Sequence, residues 1–245
     1  MVQSIFLEPE EYDLLHADVV DDIPFYLKLV REYGGPILEL GCGTGRISIP
    51  IAMEGFRVVG VDVSFPMVRR AFLRGMDAGL NLKCVVGDMR SIPVSGRYPL
   101  IIVPYNAFSH LYTFDDVVAF FREVRALMDS NGKLVIDVFN PDADILRGSM
   151  VRKLVGSYER NGRRVMVYGT GWYDFATQIN HIKWYFSDGE REWSREFTMR
   201  VFFPQEIMNY ARFMDFRVDA VYGDYSGGRV TASSPRILLI LSVDG

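Results

Sequence analysis

The segment Ile37–Arg46 constrains the fold of this chain more than any other stretch. Its first four residues have the apolar character of a strand, glycine follows at Gly41, Gly43 and Gly45, and apolar residues at helical spacing come next. Glycine lets the backbone turn sharply and approach a ligand closely, and the first turn of a helix offers unpaired N–H groups. The segment therefore predicts a strand, a ligand-binding turn and a helix. The alternative is a turn that binds nothing, although such a turn needs only one or two glycines.

The glycine spacing distinguishes two classes of cofactor. The dinucleotide fingerprint G-x-G-x-x-G requires glycine at position 46, where this chain has Arg46. The spacing here is G-x-G-x-G, with Glu39 two positions before the first glycine. A carboxylate suits a cationic amino acid better than it suits a phosphate. The pattern at 38–45 resembles motif I of the class I S-adenosylmethionine-dependent methyltransferases.

The resemblance implies an α/β fold and a cofactor. The fold is a Rossmann-like, mostly parallel sheet of seven strands with the last strand antiparallel, and the cofactor is S-adenosylmethionine. In that family the three glycines pass under the methionine and ribose part of the cofactor, and the acid at Glu39 reaches its ammonium group, usually through water. Two further loop residues, Cys42 and Arg46, are expected to contact the cofactor.

A second strand is predicted at Phe56–Asp62, and it ends in an acid. Ligands bind beyond the carboxyl ends of the strands in open α/β sheets, so Asp62 is expected to face the cofactor crevice. Its carboxylate can accept hydrogen bonds from both ribose hydroxyls. The alternative role is the N-cap of the next helix, for which Ser64 is the better candidate. Val63 and Met67 are expected to line the adenine.

A third strand is predicted at Leu82–Met89, again with a carboxylate at its end. The family commonly has an acid here that accepts a hydrogen bond from the adenine amino group, with the next residue packed on the ring. Asp88 and Met89 match that pattern. An aspartate that caps its own loop is the alternative.

The fourth predicted strand, Tyr98–Asn106, ends in the tetrapeptide Val103-Pro104-Tyr105-Asn106. This tetrapeptide departs from the Asn/Asp-Pro-Pro-Tyr/Phe pattern of methyltransferases that act on nucleobase amines or glutamine, and so favours a small-molecule acceptor. Tyr105, Asn106 and His110 are the predicted residues that position the substrate, and Tyr105 is also expected to touch the cofactor. His110 is either a proton acceptor or a partly buried residue at a helix start. The last hairpin adds three further candidates, Tyr222, Asp224 and Tyr225.

The pattern of apolar residues changes after the fifth predicted strand, Lys133–Phe139. Three short alternating segments predict an antiparallel meander that holds all three tryptophans, Trp172, Trp184 and Trp193. We therefore expect N-terminal helices at 1–36 that cover the cofactor site, a methyltransferase core at 37–145 and 204–245, and an antiparallel β insertion at 146–203. The insertion is either a substrate lid or a dimer contact. Tyr12, in the first helix, either packs in the core or touches the cofactor.

The amino-acid composition indicates which binding partners and which cellular compartment to expect. The net charge is −4, which argues against a nucleic-acid-binding surface, and the first 27 residues hold seven acids and no Lys or Arg, the opposite of a signal peptide. No apolar run approaches the roughly 18 residues of a membrane span. Cys42 and Cys84 form no disulfide or zinc pattern. These features predict a cytoplasmic protein without metal, membrane or nucleic acid, and they leave a homodimer open.

The predicted function is the transfer of a methyl group from S-adenosylmethionine to N or O of a small molecule. Such a transfer is an in-line displacement, to which an enzyme contributes mainly alignment and desolvation. The alternatives are a methyltransferase that acts on protein or RNA, a non-catalytic S-adenosylmethionine-binding protein and a nicotinamide oxidoreductase.

Overall fold

A computed structural model describes residues 3–80 and 82–243 and contains two β-sheets. The strands are β1 Ile37–Leu40, β2 Val58–Asp62, β3 Lys83–Val86, β4 Tyr98–Val103, β5 Met128–Phe139, β6 Ser149–Arg160, β7 Arg163–Asp174, β8 Ile179–Ser187, β9 Glu192–Arg200, β10 Phe216–Tyr222 and β11 Arg236–Val243. The main sheet has the order β10-β11-β5-β4-β1-β2-β3. β11 pairs antiparallel with both of its neighbours, β10 and β5, and the other pairs of neighbouring strands in this sheet are parallel. The predicted seven-stranded fold with an antiparallel last strand is confirmed.

Helices cover both faces of the main sheet. They are α1 Pro9–Leu15, α2 Ile23–Tyr33, α3 Ser48–Met53, α4 Phe65–Asp77, α5 Phe114–Leu127, α6 Ala143–Arg147 and α7 Pro204–Phe213, with short 3-10 helices at Ser4–Leu7 and Ala107–His110. Alternate residues of β4 enter opposite cores: Ile101 and Val103 pack towards α5 and α7, whereas Leu100 and Ile102 pack towards α2 and α3. Because both faces are buried, β4 is apolar along its whole length.

The second sheet has four antiparallel strands in the order β6-β7-β8-β9. The sequence predicts β7, β8 and β9 but misses β6. The pairing of β6 with β7 is interrupted by two register shifts, and the apolar side chains of β6 do not alternate between a buried and an exposed face. Several of them are exposed, among them Met150, Val151 and Leu154. Periodicity therefore gives no strand signal there.

The N-terminal segment joins the second sheet to the main one. Ser4 donates a side-chain hydrogen bond to the Glu196 carbonyl (2.9 Å) and accepts one from the Glu196 N–H (3.0 Å), so this segment pairs with the free edge of β9. Ile5 is buried with residues of the inner face of the sheet, and Tyr12 packs against the same cluster. The two sheets thus meet at the segment that precedes β1.

Asp137 of β5 links several elements below the crevice of the main sheet. Its carboxylate is fully buried and accepts hydrogen bonds from Nε of Arg236 (2.8 Å) and from the hydroxyls of Tyr225 (2.9 Å) and Tyr26 (3.2 Å). It also accepts one from the backbone N–H of Tyr105 (3.1 Å). β11, α2, the loop after β10 and the loop after β4 are therefore held by one carboxylate.

We expect Asp137→Ala to lower the free energy of unfolding by about 3–5 kcal/mol, because it leaves the buried Arg236 guanidinium without its charged partner. The matched control is Glu54→Ala, which removes the partner of Arg31 in an exposed ion pair and should cost less than about 1 kcal/mol. Urea denaturation measures both. Equal losses in the two variants would contradict the role given to Asp137.

Candidate active site

A cavity of about 310 Å³ lies at the carboxyl ends of β1, β2 and β4, a volume within the range of small-molecule sites. The N-terminal segment and the loop after β4 complete its wall. The structure brings most of the predicted site residues together there. Those that line the cavity are Glu39, Gly41, Cys42, Gly43, Arg46, Asp62, Val63, Met67, Asp88, Met89, Tyr105 and His110.

The glycine loop forms the floor of the cavity. Gly41 has φ +76° and Gly43 has φ +53°, conformations that favour glycine. A Cβ at Gly41 would lie 2.4 Å from the Cβ of Ala107, whereas a Cβ at Gly43 would meet open space. The first glycine therefore permits the loops after β1 and β4 to approach each other, and the second leaves the backbone bare towards the cavity.

Two predicted site residues, Gly45 and Asn106, do not line the cavity. A Cβ at Gly45 would lie 3.2–3.3 Å from side-chain atoms of Ile49 and Ala71, so this glycine serves packing against the helices. Asn106 has φ +70°, and its side-chain oxygen accepts a hydrogen bond from the Phe139 N–H (2.7 Å). That hydrogen bond fixes the turn after β4 and engages the amide oxygen of Asn106. The candidates Tyr222, Asp224 and Tyr225 also lie outside the lining.

The Asp62 carboxylate bridges the loop after β1 and the residue before α4. One carboxylate oxygen accepts from the Gly43 N–H (2.9 Å) and the other from the Ser64 N–H (2.8 Å), while the residue lines the cavity. Burial raises the pKa of Asp62, and the two N–H donors oppose that rise. Ser64 occupies the N-cap position of α4 as expected, but its hydroxyl donates to the Phe6 carbonyl (2.7 Å) and makes no capping hydrogen bond.

Asp88 faces the cavity with a cation beside it. Arg90 donates to both of its carboxylate oxygens, at 2.9 Å through Nε and 2.6 Å through a terminal nitrogen, and also to Asp116 (2.7 Å). The hydrogen bonds from Arg90 hold the pKa of Asp88 below its usual value. This carboxylate is therefore ionised but largely occupied by its own loop.

Glu39 is a buried acid at the end of β1. The Ser48 hydroxyl donates to its carboxyl group, and burial raises the pKa of Glu39 to about 8. In the ligand-free protein this side chain therefore holds a proton at neutral pH. A cationic group placed beside it would favour the carboxylate form.

Two guanidinium groups lie against the ring of Tyr105. The Cζ atoms of Arg46 and Arg236 are 4.8 Å and 5.4 Å from the ring centroid. Each guanidinium is paired with a buried acid, Arg46 with Asp22 at 2.6 and 2.7 Å and Arg236 with Asp137. Tyr105 itself has φ +49°, a strained conformation for a residue other than glycine. The ring is thus fixed by two cations that are already neutralised.

His110 is oriented by Gln3. The Thr198 N–H donates to the side-chain oxygen of Gln3, and the Gln3 nitrogen lies 3.2 Å from Nδ1 of His110. The Tyr112 hydroxyl lies 3.4 Å from the same ring nitrogen. Burial lowers the pKa of His110 to about 4, so the ring is neutral at physiological pH. A histidine with such a low pKa is a weak proton acceptor.

Sequence reasoning missed several lining residues. Gln3, Phe6 and Tyr112 line the cavity, and the Gln3 amide and the Tyr112 hydroxyl both bond to the carbonyl of Thr198 in β9. Gln3 and Tyr112 are 109 positions apart in the chain, so no local pattern could relate them. Tyr12, which was expected either to pack in the core or to touch the cofactor, also lines the cavity.

The described part of the chain has neither a metal-binding cluster nor a membrane-spanning helix. No group of three or more His, Cys, Asp or Glu side chains there is arranged to hold a metal ion. None of the helices in residues 3–80 and 82–243 is long and apolar enough to cross a membrane.

Known proteins similar to this chain are methyltransferases. Residues 37–132 match the family described as a methyltransferase domain. A glycine/sarcosine N-methyltransferase of Parasynechococcus marenigrum is 29% identical over 204 residues, which cover 82% of this chain and 70% of that protein.

Two solved structures share the fold. An S-adenosylmethionine-dependent methyltransferase of Clostridium acetobutylicum superposes with a TM-score of 0.80 at 19% identity, over 96% of this chain and 97% of that one. An amino pentose methyltransferase of Micromonospora echinaspora with S-adenosylmethionine bound gives 0.70 at 18% identity, over 92% and 90%. Their similarity extends beyond 37–132 to both sheets.

The raised pKa of Glu39 predicts that the free energy of unfolding depends on pH. Between its ordinary pKa of 4.5 and about 8, the folded protein holds a proton that the unfolded chain has released, so the free energy of unfolding falls as the pH rises through this window. Glu39→Gln, whose amide oxygen can still accept from Ser48, should lack this fall. Urea denaturation at both ends of the window should therefore show the variant gaining on the wild type as the pH rises. A difference that does not change with pH would contradict the assignment.

Proposed function

The chain is a class I S-adenosylmethionine-dependent methyltransferase, and we propose that it methylates an amino nitrogen of a small molecule. One observation carries the choice of nitrogen. A hydroxyl acceptor needs a strong base, and the acids and the histidine that line the cavity within the described residues do not provide one. Asp62 accepts from two N–H groups, Asp88 is paired with Arg90, Glu39 would be paired with the ammonium group of the cofactor, and burial lowers the pKa of His110 to about 4. A neutral amine carries its own lone pair.

The lining residues fit the cofactor. The bare backbone at Gly43 leaves room for a ligand directly on the loop, and the cavity has both acidic and apolar walls. Asp62 would accept from the ribose hydroxyls, Val63 and Met67 would pack on the adenine, and Glu39 would face the ammonium group. Asp88 and Met89 would lie at the far end of the adenine. When bound, S-adenosylmethionine supplies a methyl group on a sulfonium centre.

The charges near Tyr105 favour an acceptor that reacts as a neutral amine. Arg46 and Arg236 flank the ring, and neither guanidinium can lose its charge at physiological pH. The names of the similar proteins support the same chemistry, because both glycine and an amino pentose carry an amino group.

We propose that the N-terminal segment at 1–36 and the insertion at 146–203 form the cover of the site, with the core at 37–145 and 204–245. Residues 1, 2, 81, 244 and 245 of this division lie outside the described residues. The inner face of the insertion packs on Ile5, Phe6 and Tyr12, and the last two line the cavity. This contact supports the role of substrate lid. The homodimer, the cytoplasmic location and the absence of nucleic-acid partners stay predictions.

Asp62→Asn should weaken the binding of S-adenosylhomocysteine more than Asp88→Asn does. The first variant replaces an acceptor that two ribose hydroxyls would share, whereas the second affects one hydrogen bond of about 0.5–1.5 kcal/mol from a carboxylate that Arg90 already occupies. Calorimetric titration of each variant gives the difference in affinity. Asp144→Asn, at an exposed acid of α6, is the control. Similar affinities of all three variants would mean that Asp62 and Asp88 do not contact the cofactor.

The proposed reaction is tested with pairs of acceptors that differ only in the attacking atom. With labelled S-adenosylmethionine, we expect transfer to amines such as glycine, sarcosine or an amino sugar, and none to glycolate or the corresponding sugar without the amino group. The rate should rise with pH as the amine loses its proton. Transfer to the hydroxyl compound alone would contradict the choice of nitrogen. Transfer only to a protein or RNA substrate would contradict the choice of a small molecule.

A further inference from the structure

His16 directly follows α1 and lies among aromatic side chains from three parts of the fold. Its ring stacks on Tyr12 with a centroid distance of 4.0 Å and meets the ring of Tyr105 edge-on at 5.8 Å. Trp184, from β8 of the insertion, lies 6.3 Å away. We call these four side chains the aromatic box. Because Tyr12 and Tyr105 both line the cavity, the aromatic box adjoins the predicted cofactor site on the side of the insertion.

The hydrogen bond of His16 fixes its tautomer. Nδ1 lies 2.8 Å from the backbone carbonyl oxygen of Tyr12, and a carbonyl oxygen only accepts, so Nδ1 carries the proton. In the neutral ring Nε2 then has a free lone pair. No hydrogen bond joins that nitrogen to another group within residues 3–80 and 82–243.

The surroundings of His16 keep the ring neutral. Burial lowers the pKa of His16 and Arg46 lowers it further, whereas the hydrogen bond to the Tyr12 carbonyl and the charge of Asp13 oppose this shift without reversing it. Arg46 is paired with Asp22, and Asp13 is paired with Arg70 (2.9 Å) and Arg74 (3.2 Å). Of the rings around His16, Trp184 carries no titratable group, and burial raises the pKa values of Tyr12 and Tyr105. His16 is therefore a neutral base at physiological pH.

We propose that the aromatic box receives the amino group of the methyl acceptor and that Nε2 of His16 takes the proton which an ammonium must lose before it attacks. This assignment rests on the proposed N-methylation. A weak base of this kind suits an ammonium, which is a far stronger acid than an alcohol. The ring of Trp184, 6.3 Å from His16, would hold the cationic forms of acceptor and product, since aromatic rings attract cations.

The proton and electron balance is simple. One proton passes from the ammonium to Nε2, which leaves a lone pair on the acceptor nitrogen. That lone pair forms the bond to the methyl carbon as the carbon–sulfur bond breaks, and the electron pair of the broken bond stays on sulfur. The product leaves as a methylated ammonium, and the imidazolium of His16 returns its proton to water.

The activity test uses His16→Phe, which keeps an aromatic ring on Tyr12 but has no lone pair. With the best amine of the acceptor panel, kcat/KM at neutral pH should fall by about 10²–10⁴-fold and recover as the pH rises, because solvent then supplies the neutral amine. Affinity for S-adenosylhomocysteine should not change. The matched control is His181→Phe on the other face of the insertion sheet, where His181 stacks on Trp172, and it should keep wild-type activity.

Two results of this test would overturn the proposal. One is wild-type activity of His16→Phe at neutral pH. The other is a loss of the same size at every pH, because it would mean that the ring supports the structure only.

A second measurement does not depend on turnover. Imidazole ¹⁵N spectra of the complex with S-adenosylhomocysteine, with the His16 and His110 signals assigned from His16→Phe and His110→Phe, report which nitrogen carries the proton. We expect the proton on Nδ1 in His16. A proton on Nε2 of His16 would refute the proposal even if no amine is methylated, whereas the expected spectra with no turnover would place the failure in the proposed reaction.

Discussion

The buried Asp137 carboxylate is the interaction on which the geometry of the site depends. It joins β5 to Arg236 of β11, to Tyr26 of α2 and to the backbone of Tyr105. A buried charge is tolerated only when it is paired and hydrogen-bonded, so these partners cannot move independently. Through them the loop after β4 keeps Tyr105 in a left-handed conformation at the mouth of the cavity.

Charges around the cavity are neutralised in pairs. Arg46 with Asp22, Arg236 with Asp137 and Arg90 with Asp88 each place a cation against an acid within hydrogen-bond distance. The cavity therefore offers directed donors and acceptors with little free charge. Such an interior suits methyl transfer, in which a cationic donor and a neutral nucleophile need alignment and exclusion of water more than acid or base strength.

The parts of the site that could be predicted from the sequence are local in the chain. Gly41 and Gly43 lie in the loop after β1, and Asp62 is the last residue of β2. Because parallel strands end at the same edge of a sheet, a spacing pattern was enough to bring these residues together. The role of Asn106 could not be predicted, because its side chain turns back to the Phe139 N–H from a left-handed backbone. The orientation of His110 depends on Gln3, 107 positions away. β6 was missed because its exposed apolar residues do not alternate regularly between the faces of the sheet.

The most direct test of the central claim, that the cavity on the glycine loop binds S-adenosylmethionine, is a crystal structure of the wild type with S-adenosylhomocysteine. The account predicts the ribose hydroxyls at the Asp62 carboxylate and the adenine against Met67. A ligand bound elsewhere, or one that leaves the glycine loop and Asp62 without contact, would contradict it.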